Sequence, residues 1–346
     1  HMGEFEMMNK TTSALAIAAL LGTGAASAAT FQVGDETSLT VGGDIMFAYT
    51  DANNADGDSV TNFGDFNSSL VFAGEQTHQN GVTTSFYLDF DQFGTFGDSY
   101  NTVTNDGSDE TSLDPEGLTT DEYHVAFAGD FGLIKIGNEG DVTGPVFDVA
   151  DSDENAAMIQ AAGDDSEVIQ YYSNDFSGVS FAVQAQVNGD SEEAGTNGSS
   201  TSFAGYVEAD LGAMVLGVAY DQRANGTDEP IMGIVASTSL AGVDVSASYQ
   251  QDDAVGTESD IFNIAASYSY GAGAVYGTIN SVNFDDAPTR GEIGVDGGDA
   301  TVVQSADSFT QYIVGVNYSI TSNAYVYGEL GALDYDNDED DYASIG

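Results

Sequence analysis

Short segments in which every second side chain is apolar recur through most of the chain. In residues 261–270 the apolar side chains of one face are Phe262, Ile264, Ala266, Tyr268 and Tyr270. The same period of two runs through residues 179–187, 213–221 and 312–318. A period of two predicts β-strands with one apolar and one polar face. Such strands suit a transmembrane β-barrel, because a closed barrel satisfies every backbone N–H and C=O group inside lipid.

Short turns and long polar connections alternate along the chain. The seven short turns lie at 78–81, 129–131, 174–178, 209–212, 240–242, 271–273 and 319–323. The eight long connections lie near 51–64, 94–120, 139–166, 189–200, 222–230, 251–259, 284–307 and 334–340. This alternation predicts an all-β, antiparallel, up-and-down transmembrane barrel of about 16 strands, with both termini on the side of the short turns. A barrel of that width encloses an aqueous channel unless a segment folds into it.

The first residues have the organisation of a secretion signal. We interpret residues 1–7 as an expression remnant and residues 8–28 as a signal peptide, with Lys10 before the apolar core 14–21. Small residues at 26–28 predict cleavage after Ala28. The apolar core is too short to span a bilayer as a helix. Residues 29–346 are therefore predicted to form one barrel domain, whose last strand, at 341–346, is truncated.

Charge and cysteine content exclude several functions. The chain has 57 acidic residues against 4 Lys and Arg, a formal net charge of −53, so nucleic acid is excluded as a partner. This balance is typical of proteins that work in concentrated salt, which screens self-repulsion. The absence of cysteine excludes disulfides and thiolate metal sites. Because no G-x-S-x-G nucleophile motif occurs either, we expect neither enzymatic activity nor a cofactor.

Several segments resemble a known family. Residues 123–138 read YHVAFAGDFGLIKIGN and residues 167–181 read EVIQYYSNDFSGVSF, and both are similar to the general diffusion porins of Gram-negative outer membranes. Residues 37–49, 69–90 and 326–330 match the same family in order. The resemblance implies a homotrimer of sixteen-stranded barrels in the outer membrane, in contact with lipid and lipopolysaccharide. It also implies a water-filled pore that the third long loop narrows by folding inward.

In this family the third loop places carboxylates opposite arginines on the barrel wall. The corresponding loop here, residues 139–166, is rich in carboxylates. The resemblance makes Asp148, Asp151, Asp153 and Glu154 the candidate constriction residues, unless these side chains only solvate the loop. The tract 156–162 is expected to form a short helical turn.

The predicted pore wall departs from the family pattern because positions that are commonly basic carry no fixed positive charge here. Those positions hold Asp44, Ser69, His124, Asn138 and Gln170. Strand parity also turns Asp89, Lys135 and Glu329 toward the lumen. Carboxylates without opposing arginines concentrate cations. We therefore expect a cation-preferring channel that passes cations and small hydrophilic solutes.

Three alternatives stay open at this point. The acidic run with Asp334, Asp336 and Asp338 is a weak candidate for loosely bound Ca²⁺ or Mg²⁺, although Glu339 stands where an EF-hand needs glycine. The barrel could be a non-conducting acidic surface or adhesive protein whose third loop closes the lumen. It could also be a substrate-specific porin, in which inward tyrosines stack on sugars; the candidates are Tyr87, Tyr172 and Tyr325, which could instead belong to an interfacial aromatic girdle.

Overall fold

A computed structural model describes residues 24–25, 28–34, 36–53, 59–65, 68–91, 119–138, 140, 142–147, 167–189, 200–222, 230–252, 259–284 and 308–335. The helix α1 spans Gly144–Phe147. The strands, in chain order, are β1 (Gly24–Ala25), β2 (Ala29–Gly34), β3 (Thr37–Asp44), β4 (Phe47–Asn53), β5 (Ser59–Asp65), β6 (Ser69–Thr77), β7 (Thr83–Asp91), β8 (Thr119–Gly129), β9 (Gly132–Asn138), β10 (Val168–Tyr172), β11 (Val179–Gly189), β12 (Ser200–Asp210), β13 (Val215–Gln222), β14 (Ile231–Leu240), β15 (Val243–Asp252), β16 (Ser259–Ser269), β17 (Gly273–Phe284), β18 (Ser308–Thr321) and β19 (Ala324–Tyr335). Over these described ranges, no helix has the length and apolar character needed to cross a membrane.

One antiparallel sheet contains nearly all of the strands. Within the described part of the chain, β2, β3 and β6 to β19 form sixteen strands, each paired antiparallel with the next. The predicted β-barrel class and its number of strands are confirmed. One of the sixteen is β2, which the sequence pattern did not identify, while the predicted strand at 341–346 lies outside the described residues. The short β1, inside the predicted signal peptide, pairs with Tyr325 and Ala324 of β19.

All seven predicted short turns join antiparallel neighbours. In the β14–β15 turn, Leu240 pairs directly with Val243 across two residues. Those two residues, Ala241 and Gly242, have φ angles of 54° and 85°. Positive φ at both central positions defines a type I′ turn, whose twist matches that of the flanking strands. The strands joined by short turns therefore pair in the order that the sequence predicts.

The prediction of a long loop at 51–64 is wrong. Most of it belongs to a separate two-stranded sheet in which β4 pairs with β5. The ladder between β3 and β6 stops at Ile45–Met46, where the Met46 N–H donates to Ser68 Oγ at 3.0 Å. The same hairpin then resumes as β4 and β5. Polar composition misled the prediction, because backbone N–H and C=O groups can pair whatever the polarity of the side chains.

The two faces of the main sheet differ as the period of two predicts. On β16, Phe262, Ile264 and Tyr268 are 45%, 37% and 50% exposed, whereas Ile261 and Asn263 are 3% and 0% exposed. The same outward apolar face continues on β13 through Leu216, Val218 and Tyr220, after Met214 just before the strand, and on β18 through Tyr312, Val314, Val316 and Tyr318. A continuous apolar outer face is what a barrel presents to lipid.

Candidate pore wall and third loop

The inner face of the sheet has two parts that differ in solvent access. On β10–β19 its central side chains are buried, including Gln170, Gln186, Gln250, Asn263 and Asn280, each 0% exposed. We call this face the packed wall. On β3 and β6–β9 the inward polar and charged side chains are only half-buried, and we call this face the open wall. Solvent therefore reaches the interior along the open wall.

The open wall carries the predicted charged and polar residues. Register places Asp44 opposite Ser69 and Tyr87 opposite His124, with Asp89 on the same face. The Ser69 hydroxyl donates to Asp44 Oδ1 at 2.7 Å, and the Tyr87 hydroxyl donates to Asp89 Oδ2 at 2.9 Å. Both donors are uncharged, so neither hydrogen bond neutralises its carboxylate.

Aromatic rings flank the basic side chains of this wall. The His124 and Tyr87 rings stack with centroids 5.5 Å apart and planes 18° apart. Lys135 pairs in register with Ala126 and Gln170, and its Nζ lies 5.6 Å from the centroid of the Tyr172 ring. At that distance the ring attracts the ammonium group. Of the four Lys and Arg residues in the chain, Lys135 alone falls within the described ranges.

On the open wall, the sequence analysis missed the inward carboxylate of Glu122. Glu122 lies on β8 two residues before His124 and is half-buried. Its Oε1 stands 3.8 Å from the position that a β-carbon would take at Gly140. Strand parity counted back from His124 would have identified it. Among the described side chains, the half-buried carboxylates of the open wall are Asp44, Asp89 and Glu122, and its ammonium group is that of Lys135.

Three predicted wall residues need correction or refinement. Asn138 pairs with Tyr123, which is 42% exposed on the outer face, so its assignment to the pore wall is wrong. The inward positions of β9 are Lys135 and Gly137, and a one-residue step changes the face. Gln170 and Glu329 do face inward, but they are 0% and 3% exposed and therefore do not line an open pore. The Glu329 carboxylate accepts a hydrogen bond from the hydroxyl of Tyr276.

The first part of the third loop lies inside the barrel. Val142 packs with Ala182 and Ala204, and the Val142 N–H donates to Gln184 Oε1 at 3.3 Å. Further along, α1 packs against β13, β14 and β15. Val146 is fully buried there. The inward fold of the third loop is therefore confirmed for residues 140 and 142–147.

Other predicted features of long connections fall outside the described residues. These are Asp148, Asp151, Asp153 and Glu154, the helical turn at 156–162, Asp336 and Asp338. Only the backbone of Asp334 is described, opposite Thr310 on β18. Over the described ranges, no group of three or more metal-ligating side chains comes together. Bound Ca²⁺ or Mg²⁺ at the acidic loops stays a prediction.

The three tyrosines considered for sugar stacking all turn inward, so they do not form an outer girdle. Tyr87 and Tyr172 lie beside His124 and Lys135 respectively. Tyr325 lies on the inward face of β19, with its ring centroid 6.2 Å from that of Tyr327. Parity with the buried Tyr327 and Glu329 gives the same orientation.

A protein-family model and a known relative both match nearly the whole chain. The family model described as Gram-negative porin matches residues 11–338. A relative named monosaccharide porin, from a Halomonas species, is 26% identical over 375 residues, covering 98% of this chain and 99% of the relative.

Two solved structures share the fold. The anion-selective porin from Comamonas acidovorans aligns with a TM-score of 0.62 and 19% identity, covering 87% of this chain and 90% of that porin. The trimer form of the in-vitro folded OmpT, an outer membrane protein of Vibrio cholerae, aligns with a TM-score of 0.59 and 15% identity, covering 89% and 94%. At these identities the similarity establishes the architecture alone.

Proposed function

Because the chain belongs to the Gram-negative porin family, we propose that this outer-membrane β-barrel is a cation-preferring channel for ions and small hydrophilic solutes. The single observation that carries the preference is the charge of the open wall. Asp44, Asp89 and Glu122 face the interior there, and Lys135 is the one fixed cation among the described residues of that wall.

The size of the effect follows from Coulomb's law. A unit charge about 4 Å from a passing ion contributes about 1 kcal/mol in water-like surroundings and about 4 kcal/mol at an effective dielectric constant near 20. Even the smaller value changes the local concentration of an ion about fivefold. The hydroxyl partners of Asp44 and Asp89 leave those charges in place. Screening over about 10 Å at 0.1 M and about 3 Å at 1 M salt weakens the preference as salt rises.

The reversal potential of single channels tests this function. We expect the protein, refolded and inserted in a planar bilayer under a KCl gradient, to give a cation-selective potential near 0.1 M that decreases near 1 M. Conduction without selectivity would refute the cation preference. Absence of conduction from correctly folded protein would refute the channel and favour a non-conducting surface barrel.

Selective passage of monosaccharides is a second candidate. Two observations favour it: Tyr87 and Tyr172 offer aromatic rings on the interior, and a relative aligned over almost the whole chain is named a monosaccharide porin. Liposome swelling in D-glucose and in L-glucose separates the two candidates. The enantiomers diffuse identically through a passive pore, so a faster rate with one of them would indicate a binding site.

We further propose that the protein is adapted to high salt. Its net charge of −53 generates self-repulsion that is strongest when unscreened. The melting temperature is expected to rise between low salt and 1 M NaCl, by about 2–4 °C for each kcal/mol of stability gained. Thermal scans in sucrose of equal osmolality serve as the control. An equal rise in sucrose, or none in NaCl, would contradict charge screening as the cause.

We also propose a homotrimer. Support comes from family membership and from the architecture shared with a structure described as a trimer form. The apolar outer face of β7–β9 is available for lipid or for a second copy, with Phe86, Val125 and Ile136 exposed there. Light scattering with the detergent contribution subtracted measures the assembly directly.

A further inference from the structure

The root of the third loop, defined as residues 140 and 142–147, is held by two glutamines of the packed wall. Gln170 Nε2 donates to the Gly140 carbonyl at 2.7 Å and to Gln184 Oε1 at 2.7 Å. Gln184 Oε1 also accepts from the Val142 N–H at 3.3 Å. The Tyr172 hydroxyl donates to Gln170 Oε1 at 3.0 Å, which orients the first amide. We call Gln170 and Gln184 the amide clamp.

A second contact lies farther along the root, on β13 and β14. Val146 is 0% exposed, and a β-carbon on Gly217 would stand 3.0 Å from Val146 Cγ2 and 2.7 Å from Val235 Cγ1. A β-carbon 2.7 Å from Val235 Cγ1 would force a shift, and one 3.0 Å from Val146 Cγ2 would be tighter than most real contacts, so the missing side chain of Gly217 lets Val235 and Val146 pack together. We call Gly217 and Val235 the glycine socket.

We propose that the amide clamp and the glycine socket are positioning residues that hold the root of the third loop across the interior, and thereby set the open conductance of the pore. This inference rests on the proposed channel function. The two contacts lie on different strands, β10–β11 and β13–β14, so together they fix both the place where the loop leaves the wall and its direction. Gln170 lies opposite Lys135 at the border of the open wall, whereas Gln184, Gly217 and Val235 lie on strands of the packed wall.

The chemistry of the clamp suits its task. The root presents a carbonyl oxygen at Gly140 and an N–H at Val142, and two primary amides supply the one donor and one acceptor required. Both side chains are fully or nearly fully buried, at 0% and 3% exposure, where unsatisfied partners are costly. Because the amides are neutral, salt that screens the wall charges leaves the clamp unchanged. Loop position is therefore independent of ionic strength, while selectivity depends on it.

Replacing the clamp tests the proposal. The double variant Gln170→Leu with Gln184→Leu is expected to raise the fraction of time spent outside the main conductance level about tenfold, as for loss of one or two buried hydrogen bonds. The matched control is Asn280→Leu with Gln311→Leu. This pair is also a buried amide pair, joined by a 2.9 Å hydrogen bond, on β17 and β18. The control is expected to lose thermal stability but to keep a steady conductance.

Gly217→Ala tests the socket independently of the clamp. It also tests the proposal if the clamp variant fails to fold. Its control is Gly315→Ala, another inward glycine, whose added β-carbon would overlap the Tyr276 ring and not the loop root. We expect unsteady conductance from the first and not from the second. A third measurement uses the unmodified protein. The fraction of time that it spends outside its main conductance level is expected to be the same at 1 M as at 0.1 M KCl.

The outcomes separate this proposal from the proposed function. Test and control variants that behave alike, or a conductance of the unmodified protein that grows unsteady with salt, would overturn the positioning role while leaving a working channel. No conductance from the unmodified protein would instead refute the channel function on which the inference depends.

Discussion

Arginine in place of Val314 is expected to destabilise the membrane-inserted protein by about 2–4 kcal/mol, the cost of a lipid-facing Arg at the bilayer midplane of a β-barrel. Val314 is 52% exposed on the outer face and lies at the middle of β18, between Gly277 and Leu330 of the neighbouring strands. Lipid offers no hydration to the guanidinium, so folding must bring a charge into hydrocarbon. Denaturant unfolding of protein refolded into vesicles measures the difference.

The control for this experiment is the same residue type placed outside the hydrocarbon. Gln79 is exposed in the short turn between β6 and β7. Gln79→Arg is expected to cost about 0–1 kcal/mol, the value near the interface. Equal unfolding free energies for the two variants would mean that the outer face of β18 does not contact lipid.

Neutralising Asp44 and Asp89 together is expected to lower the cation-to-anion permeability ratio at 0.1 M KCl by about fivefold for each carboxylate, from about 1 kcal/mol per charge. Both groups lie on the open wall, on the inward face of neighbouring strands. Asn retains hydrogen-bond acceptor oxygens for Ser69 and Tyr87, so Asp44→Asn and Asp89→Asn change charge with little change of shape. Reversal potentials under a KCl gradient give the ratio.

Asp130→Asn provides the control for each single replacement, because it removes one carboxylate charge from an exposed turn between β8 and β9. The cation-to-anion permeability ratio is expected to stay nearly unchanged at 0.1 M KCl. The reason is that salt at this concentration screens an exposed charge over about 10 Å. Lys135→Gln is expected to move the ratio in the opposite direction, toward cations. A double variant that matches the control would place the selective step away from the open wall.

Local patterns in the sequence determined two properties of the fold, the faces of the strands and their order. The period of two in β13, β16 and β18 determined which side chains face outward, because adjacent residues of a strand must point to opposite faces. Short turns and long polar connections determined the antiparallel order. Parity also placed Asp44, Asp89, His124 and Lys135 on the inside without any knowledge of the neighbouring strands.

The family motif gave the wrong face for Asn138, where strand parity gives the right one. Asn138 was assigned by its place in a motif, yet it lies three residues from the inward Lys135, and an odd step reverses the face. The polar stretch at 51–64 was assigned as a loop from its composition, but β4 and β5 pair through the backbone, which composition does not report.

The sequence by itself determined most of the strands, their faces, the family and the excess of negative charge, because these depend on local alternation and composition. Only the tertiary structure decided which inward residues contact water. Gln170 and Asp89 both face inward. Gln170 is buried beneath the root of the third loop, whereas Asp89 lies on the open wall. The difference arises because a segment close in sequence to β9 crosses the interior to β13–β15, and burial between such distant segments leaves no periodic signal in either of them.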